Sequence, residues 1–188
     1  MQLILPGALA FLVSVALTMA MRRLAPRVGA VAVPKADRWH RTQIPLLGGA
    51  AIAAAVVTAA VVAPVRDAGI WALLGGALTL CLVGLVDDLV PLKPQTKLVS
   101  QILVASGLAA LGLKLSLTGY PVLDVIVTIL WIVGVTNACN LLDNMDGLAA
   151  GIAAIAVGFR LAFFLMDGNL EGAAVAAIVL GAVLGFLV

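Results

Sequence analysis

The chain has 188 residues, of which 64% are hydrophobic and 11% are charged, and its mean hydropathy is +1.23. Soluble domains average about 25% charged residues, so this composition predicts a polytopic membrane protein and excludes an ordinary soluble domain. The formal net charge of +2 is too small to indicate a nucleic-acid partner, and two cysteines do not make a disulfide framework.

Seven apolar runs are candidates for membrane-spanning helices, each of which needs about 20 apolar residues. The first run has no cation before it and is followed by Arg22 and Arg23, the reverse of a cleaved signal peptide. We therefore interpret it as a retained helix with its N-terminus outside. The fifth run is short, and we expect its helix either to continue into Asn137–Asn140 or to sit in a thinned region of the bilayer. In chain order the predicted spans are Leu3–Met21, Leu46–Ala63, Ile70–Val86, Leu98–Leu113, Val122–Val135, Leu148–Met166 and Gly172–Val188. They predict an all-α transmembrane bundle, interpreted as one domain over residues 1–188.

The charges of the connecting loops indicate an orientation. Seven alternating spans from an outside start place loops 22–45, 87–97 and 136–147 in the cytoplasm, and these loops contain eight of the eleven Lys and Arg residues. This bias agrees with the positive-inside rule. Since the polar-rich loops all lie on one side, that face of the membrane is the expected location of a functional site.

The first of these loops contains six of the cations. Arg22 and Arg23 are equally well explained as topology determinants that face anionic lipid. The run Asp37-Arg38-Trp39-His40-Arg41 is denser than a topogenic signal requires, and Arg side chains match phosphate oxygens bidentately. We therefore predict that Arg38 and His40 bind substrate.

The segment 137–147, Asn-Ala-Cys-Asn-Leu-Leu-Asp-Asn-Met-Asp-Gly, packs three amides and two carboxylates between two apolar runs. Polar groups beside hydrocarbon are costly, so this cluster is a functional-site hypothesis. Asn140, Asp143, Asn144 and Gly147 would share one face if the segment were helical, with Asp146 toward the same side. The alternative is a capped helix end in a connecting loop, in which Asn and Asp are turn formers.

Two carboxylates, Asp87 and Asp88, close the third span, and Lys97 follows in the same loop. The pair alone is open to interpretation as a helix cap or a solvated helix end. Together with the 137–147 segment on the same side, a shared site is the stronger interpretation. Its hard oxygen ligands suit Mg²⁺, with Mn²⁺ as the alternative cation. Cations beside such a site at the headgroup plane indicate diphosphate chemistry.

The sequence has no GxxxxGK[ST], GxSxG or HExxH motif. These absences argue against an ATP-driven pump, an acyl hydrolase and a zinc protease.

Three motifs in this order resemble the polyprenyl-phosphate N-acetylhexosamine-1-phosphate transferases of glycosyltransferase family 4. They are Asp37–Gly49, Gly84–Gln101 and Asn137–Gly151. The Pro-Leu-Leu-Gly-Gly loop at 45–49 and the stretch Pro-Leu-Lys-Pro-Gln-Thr-Lys-Leu at 91–98 resemble the undecaprenyl-phosphate GlcNAc-1-phosphate branch more than the MurNAc-pentapeptide branch. Asn144 stands where many relatives have Gly.

The resemblance implies a transfer reaction at the membrane. A UDP-N-acetylhexosamine gives its sugar-1-phosphate, by implication GlcNAc-1-phosphate, to undecaprenyl or a similar polyprenyl phosphate and releases UMP. This is the first membrane step of cell-envelope polysaccharide synthesis. The implied enzyme depends on Mg²⁺, lies in the inner (plasma) membrane and has its site on the cytoplasmic face. A homodimer is compatible with the resemblance.

The resemblance also implies residue roles. One of the two adjacent aspartates is the base at the lipid phosphate, the lysine holds phosphate, and the remaining residues bind the metal beside the diphosphate and line the nucleotide pocket. The implied catalytic residues are Asp87 and Asp88, the substrate-binding residues Lys97, Asp143 and Asp146, and the metal ligand Asn140. Arg38 and His40 join them as substrate-binding residues predicted from the first loop.

The chain ends inside an apolar run at Val188, where members of that family continue into a further loop and more helices. We therefore expect it to be the N-terminal part of a larger transferase domain, inactive alone. An ion-coupled transporter is the alternative function, and it predicts carboxylates near the bilayer midplane. A structural scaffold would need neither the Asp87-Asp88 pair nor the 137–147 segment.

Overall fold

The structure, a computed structural model, describes residues 3–27, 31–32, 44–45, 47–143 and 147–188. Within these ranges the chain forms seven α-helices and one antiparallel pair of two-residue strands. The elements are α1 (Ile4–Leu24), β1 (Val31–Ala32), β2 (Ile44–Pro45), α2 (Gly48–Val62), α3 (Ala68–Leu89), α4 (Pro94–Ala110), α5 (Pro121–Leu142), α6 (Leu148–Met166) and α7 (Leu170–Leu187). The helical fold class predicted from composition is confirmed, whereas the strand pair was not expected.

Five of these helices, α1, α3, α5, α6 and α7, are long and apolar enough to cross a membrane. The other two are shorter, with 15 residues in α2 and 17 in α4. The expected extension of the fifth helix is confirmed, because α5 runs on to Leu142. Helix α4 begins at Pro94, earlier than the predicted Leu98, so Lys97 lies on a helix rather than in a loop.

The chain divides into two compact units, residues 66–152 and residues 1–65 with 153–188. The predicted single domain over residues 1–188 stays a prediction. In the first unit, α4 packs against both α3 and α5. Near one end of α4, the missing side chain of Gly76 on α3 leaves room for Leu108. Near the middle of α4, Gln101 contacts Asn137 on α5, and nearer its start Lys97 pairs with Asp87 on α3. The three helices therefore alternate in direction, and the end of α3, the start of α4 and the end of α5 lie together.

Hydrogen bonds to Asp124 and Thr128 hold the loop between α4 and α5 at the opposite end of this unit. Asp124, which is only 5% exposed, accepts hydrogen bonds from the backbone N–H groups of Leu117 (3.1 Å) and Thr118 (2.8 Å) and from the Thr118 hydroxyl (2.8 Å). The Thr128 hydroxyl accepts from the Leu115 N–H at 2.9 Å. Sequence reasoning missed Asp124 because it counted the residue within an apolar span. Its hydrogen bonds give it a local structural role.

The second unit is built on a close contact between α1 and α7. The Ser14 hydroxyl donates to the Ala182 carbonyl at 2.6 Å, and both residues are buried. Gly181 lies against the backbone of Gly7, and Gly185 against that of Phe11. Small residues let helix backbones approach closely in a membrane, where the hydrophobic effect does not drive helices together. The two helices run parallel, since Gly7 lies against Gly181 and Phe11 against Gly185.

We expect Gly181→Ala to destabilise this contact. A methyl group there would press on the Gly7 carbonyl oxygen, so the helices must separate, and overpacking of this kind costs about 1–3 kcal/mol. The midpoint of thermal unfolding in detergent should fall. Gly158→Ala on α6 is the matched control, since a Cβ at Gly158 meets nothing within 4 Å. Equal midpoints for the two variants would contradict the tight α1–α7 contact.

Candidate functional site

The last turn of α3 carries Asp87, whose two carboxylate oxygens are both engaged. Oδ1 accepts a hydrogen bond from the Leu92 N–H at 2.9 Å, and Oδ2 forms an ion pair with Nζ of Lys97 on α4. The Asp87 and Lys97 side chains are 21% and 31% exposed. Asp87 therefore closes the turn between α3 and α4, while part of the Lys97 side chain stays accessible.

The neighbouring Asp88 is in a different situation. It is exposed, and among the described residues its carboxylate makes no hydrogen bond or ion pair. It lies within electrostatic range of Asp87 and Asp143, which repel its charge, and of Lys97, which attracts it. The structure thus brings together four of the residues predicted from sequence, here called the Asp–Lys cluster: Asp87, Asp88, Lys97 and Asp143.

The end of α5 supplies the third side of the site. Asn140 is exposed in the last turn, and Asp143 follows directly after the helix, with its N–H bonded to the Cys139 carbonyl at 3.1 Å. The helix ends at Leu142, so Asp143 and Gly147 lie outside it and do not share a helical face with Asn140 as the spacing would give. Gly147 has a φ of 73°, a left-handed conformation that favours glycine, and α6 begins at the next residue.

Four residues singled out from the sequence lie outside the described residues. They are Arg38, His40, Asn144 and Asp146. Their predicted roles stay predictions. For the segment that contains Arg38 and His40, the structure describes the two flanking strands, in which Val31 pairs with Pro45 and Ala32 with Ile44.

The donor chemistry of the site suits Mg²⁺, which prefers oxygen ligands. Asp88 and Asn140 present exposed carboxylate and amide oxygens, and Asp143 is close to Asp88. Within the described ranges, no group of three His, Cys, Asp or Glu side chains forms a cage for a metal ion.

Sequence reasoning included Gln101 and Asn137 in its motifs but did not recognise that they pair. Their amides hydrogen-bond to each other between α4 and α5. The available signal was their position, because Gln101 lies one turn after Lys97 and Asn137 one turn before Asn140.

Comparison with known proteins places the chain in a family. Residues 70–188 match the family model for glycosyl transferase family 4. A probable undecaprenyl-phosphate N-acetylglucosaminyl 1-phosphate transferase of Bacillus subtilis is 32% identical over 181 residues, covering 91% of this chain and 51% of the relative. A decaprenyl-phosphate N-acetylglucosaminephosphotransferase of Mycobacterium tuberculosis is 32% identical over 214 residues, covering 99% and 53%.

A phospho-N-acetylmuramoyl-pentapeptide-transferase of Halalkalibacterium halodurans is 35% identical, but the match covers only 56% of this chain. The two relatives named for N-acetylglucosamine match more of this chain than the muramoyl-pentapeptide relative does, in agreement with the motifs at 45–49 and 91–98. The chain spans about half the length of the first two relatives. With its family model matched over most of its length and its apolar helices, the chain is a multi-pass membrane protein that belongs to glycosyl transferase family 4.

Proposed function

We propose that the protein transfers N-acetylglucosamine-1-phosphate from UDP-N-acetylglucosamine to a membrane polyprenyl phosphate. An oxygen of the lipid phosphate attacks the β-phosphorus of the donor, and the bond from that phosphorus to the bridging oxygen breaks. UMP leaves, and a polyprenyl diphosphate sugar remains in the membrane. The names of the relatives support the acceptor and the sugar, and the Asp–Lys cluster supports the chemistry.

This proposal rests on one observation: the residues of the Asp–Lys cluster come together where α3 ends, α4 begins and α5 ends. A lipid phosphate reaches a protein at the headgroup plane, and a soluble nucleotide sugar reaches it from water. Helix ends lie where both substrates are accessible. A cluster at the helix middle would meet neither.

The contacts divide the roles of the two adjacent aspartates. Asp87 has both oxygens engaged, so it holds Lys97 and the α3–α4 turn in place. Asp88 has an exposed carboxylate available to accept the proton of the lipid phosphate. Lys97 then positions phosphate oxygens with its remaining N–H groups, and Asp143 faces the donor side. Asp146, Arg38 and His40 are proposed as further substrate ligands from the sequence.

Mg²⁺ is proposed as the cofactor, held through Asn140, with Mn²⁺ as the alternative. The ion would neutralise charge on the donor diphosphate. The amide oxygen of Asn140 is neutral, so most of the binding energy is expected from the diphosphate itself. Removing divalent ions with a chelator should therefore abolish transfer while the protein stays folded.

The distribution of charge in the helices disfavours the transporter alternative. Within the described helices, every Asp and Glu lies in the first or last turn, as shown by Asp87 and Asp88 in α3, Asp124 in α5 and Glu171 in α7. A proton- or Na⁺-coupled transporter needs carboxylates near the midplane. The ionic residue inside a described span is Arg160, whose guanidinium stacks on Phe164 at 4.2 Å from the ring centroid.

Substrate choice tests the proposal. The full-length protein in proteoliposomes is given undecaprenyl phosphate with UDP-GlcNAc, UDP-GalNAc or UDP-MurNAc-pentapeptide, and lipid products are identified by mass spectrometry. We expect a lipid diphosphate carrying N-acetylglucosamine. A product made only from UDP-MurNAc-pentapeptide would place the protein in the other branch, and no product from any donor would overturn the proposed reaction.

The proposed location is the inner (plasma) membrane with the site on the cytoplasmic face. Cys139 is exposed near the end of α5, and Cys81 is half-buried in α3. In a full-length variant that keeps only these two cysteines, an impermeant thiol reagent on intact cells should label neither. Opening the cells should make Cys139 react and leave Cys81 unlabelled. Labelling of Cys139 from outside would reverse the orientation.

A further inference from the structure

A reciprocal amide pair joins α4 and α5 beside the candidate site. Nδ2 of Asn137 donates to Oε1 of Gln101 at 2.7 Å, and Nε2 of Gln101 donates back to Oδ1 of Asn137 at 3.5 Å. Nδ2 of Asn137 also donates to the Val133 carbonyl at 2.8 Å. Asn137 therefore has an acceptor for each of its two amide protons, which fixes its side chain.

The position of this pair links it to the residues of the proposed reaction. Gln101 lies four residues after Lys97, and Asn137 lies three residues before Asn140, so each amide shares a helix face with a site residue one turn away. Gln101 is only 8% exposed. Asn137 is exposed, so the buried member of the pair is Gln101, one turn from Lys97.

We propose that Gln101 is a positioning residue for the transfer reaction, acting through Asn137. By holding Asn137, it sets the rotation and height of the last turn of α5 against the first turns of α4. This places Asn140 and Asp143 relative to Lys97. The inference rests on the proposed function of the site, since it assumes that these residues must act on one substrate pair.

The physical reason is that an amide pair has one geometry, whereas apolar contacts have many. A slide or rotation of α5 would leave the buried amide of Gln101 unpaired, which costs free energy. Displacements of about 1 Å in an active site can lower turnover by about 10²-fold. The pair therefore fixes the position of α5 along and around its axis relative to α4.

A purely structural role is the competing explanation. Helix α4 packs along α5 through more than this pair, and Ala105, Leu108 and Ala109 of α4 are all buried, with Leu108 against Gly76 of α3. These contacts hold the helices together without the pair. We therefore expect removal of the pair to change the register of α5 and leave the fold in place.

The test uses variants of the full-length protein. Gln101→Leu should lower kcat at least about tenfold, with KM for the nucleotide sugar and membrane yield nearly unchanged. The exchange Q101N with N137Q restores an amide pair in reverse and should recover a substantial part of kcat. Gln95→Leu is the control, because Gln95 is exposed on the same helix and should behave as wild type.

A double variant adds a second criterion. If Gln101 acts only through Asn137, Q101L with N137L should be no slower than the slower single variant, because the same interaction is lost once. Additive losses, failure of the exchange to recover kcat in folded protein, or a fall in thermal stability that accounts for the lost activity would each overturn the proposal.

A distance measurement separates this inference from the proposed reaction. Leu98 on α4 and Leu141 on α5 are both exposed. In a variant with Cys81 and Cys139 replaced by Ala, spin labels are attached through Leu98→Cys and Leu141→Cys, and the distance between the two labels reports the register of the helices. Q101L should shift or broaden the distance distribution, whereas Q95L should not. An unchanged distribution in Q101L would overturn the positioning role even if the enzyme is active. A shift in a protein without transferase activity would support it and refute the proposed function alone.

Discussion

Replacing Asp88 with Asn in the full-length protein should lower sugar-phosphate transfer by about 10²-fold or more, the scale of general acid–base catalysis. The change keeps the shape of the side chain and removes the charge that would accept the proton of the lipid phosphate. Asp88 makes no hydrogen bond or ion pair among the described residues, and it faces the negative charges of Asp87 and Asp143. The variant should therefore be as stable as wild type. Initial rates of UMP release and the thermal midpoint, measured on one preparation, check both statements.

Two further variants make this result specific. Asp87→Asn should lower both activity and stability, because it weakens the contacts to Lys97 and to the Leu92 N–H. Asp167→Asn removes an exposed carboxylate in the turn between α6 and α7 and should leave transfer unchanged. Wild-type turnover in Asp88→Asn would show that the carboxylate only terminates a helix, and the role of base would have to be given up.

Lys97→Met should lower transfer by about 10²-fold, comparable to the loss of one donor that stabilises developing charge. The lysine has two roles in this account, since it pairs with Asp87 and also holds phosphate. The reversed pair D87K with K97D separates them. It rebuilds the ion pair between α3 and α4 but places a carboxylate where the ammonium was. We expect the reversed pair to regain part of the lost stability, since D87K cannot accept the Leu92 N–H, and to stay inactive in the UMP-release assay.

Lys93→Met is the matched control for charge. Lys93 is exposed, lies one turn earlier and caps the start of α4 through its backbone carbonyl, which accepts from the Thr96 N–H at 2.9 Å. Its side chain should be dispensable. Recovery of activity by the reversed pair would mean that Lys97 serves only to hold Asp87, and the phosphate contact would then have to come from another cation.

Hydropathy predicted the helices well because a bilayer imposes their length. Helix α6 was predicted with its observed bounds, Leu148–Met166, and the extension of α5 past Val135 followed from the thickness a span must cross. The predicted start of α4 at Leu98 was wrong, because a hydropathy profile ends an apolar run at a charged residue, here Lys97. The helix instead begins at Pro94, whose fixed φ suits a first helical position and which lacks the N–H that would go unpaired there.

The pairing of helices could not be predicted in the same way. Contacts between membrane helices depend on small residues and single polar groups, and these leave no strong periodic signal in an apolar sequence. Gly181 meets Gly7 across almost the whole length of the chain, and Gln101 meets Asn137 across 36 residues. The motifs identified the site residues. They could not predict that Asp87 contacts Lys97 and the Leu92 N–H while Asp88 makes no such contact among the described residues, because this difference depends on the geometry of the turn after α3.

The central claim is the transfer of a sugar-phosphate, and the nucleotide product tests it most directly. The full-length protein is incubated with UDP-GlcNAc, Mg²⁺ and undecaprenyl phosphate, and the released nucleotide is separated and quantified beside the lipid product, with Asp88→Asn in parallel. The account predicts one UMP for each lipid-linked N-acetylglucosamine and little of either from the variant. Release of UDP with the lipid product would mean transfer of the sugar alone and would contradict it, as would equal turnover by the variant.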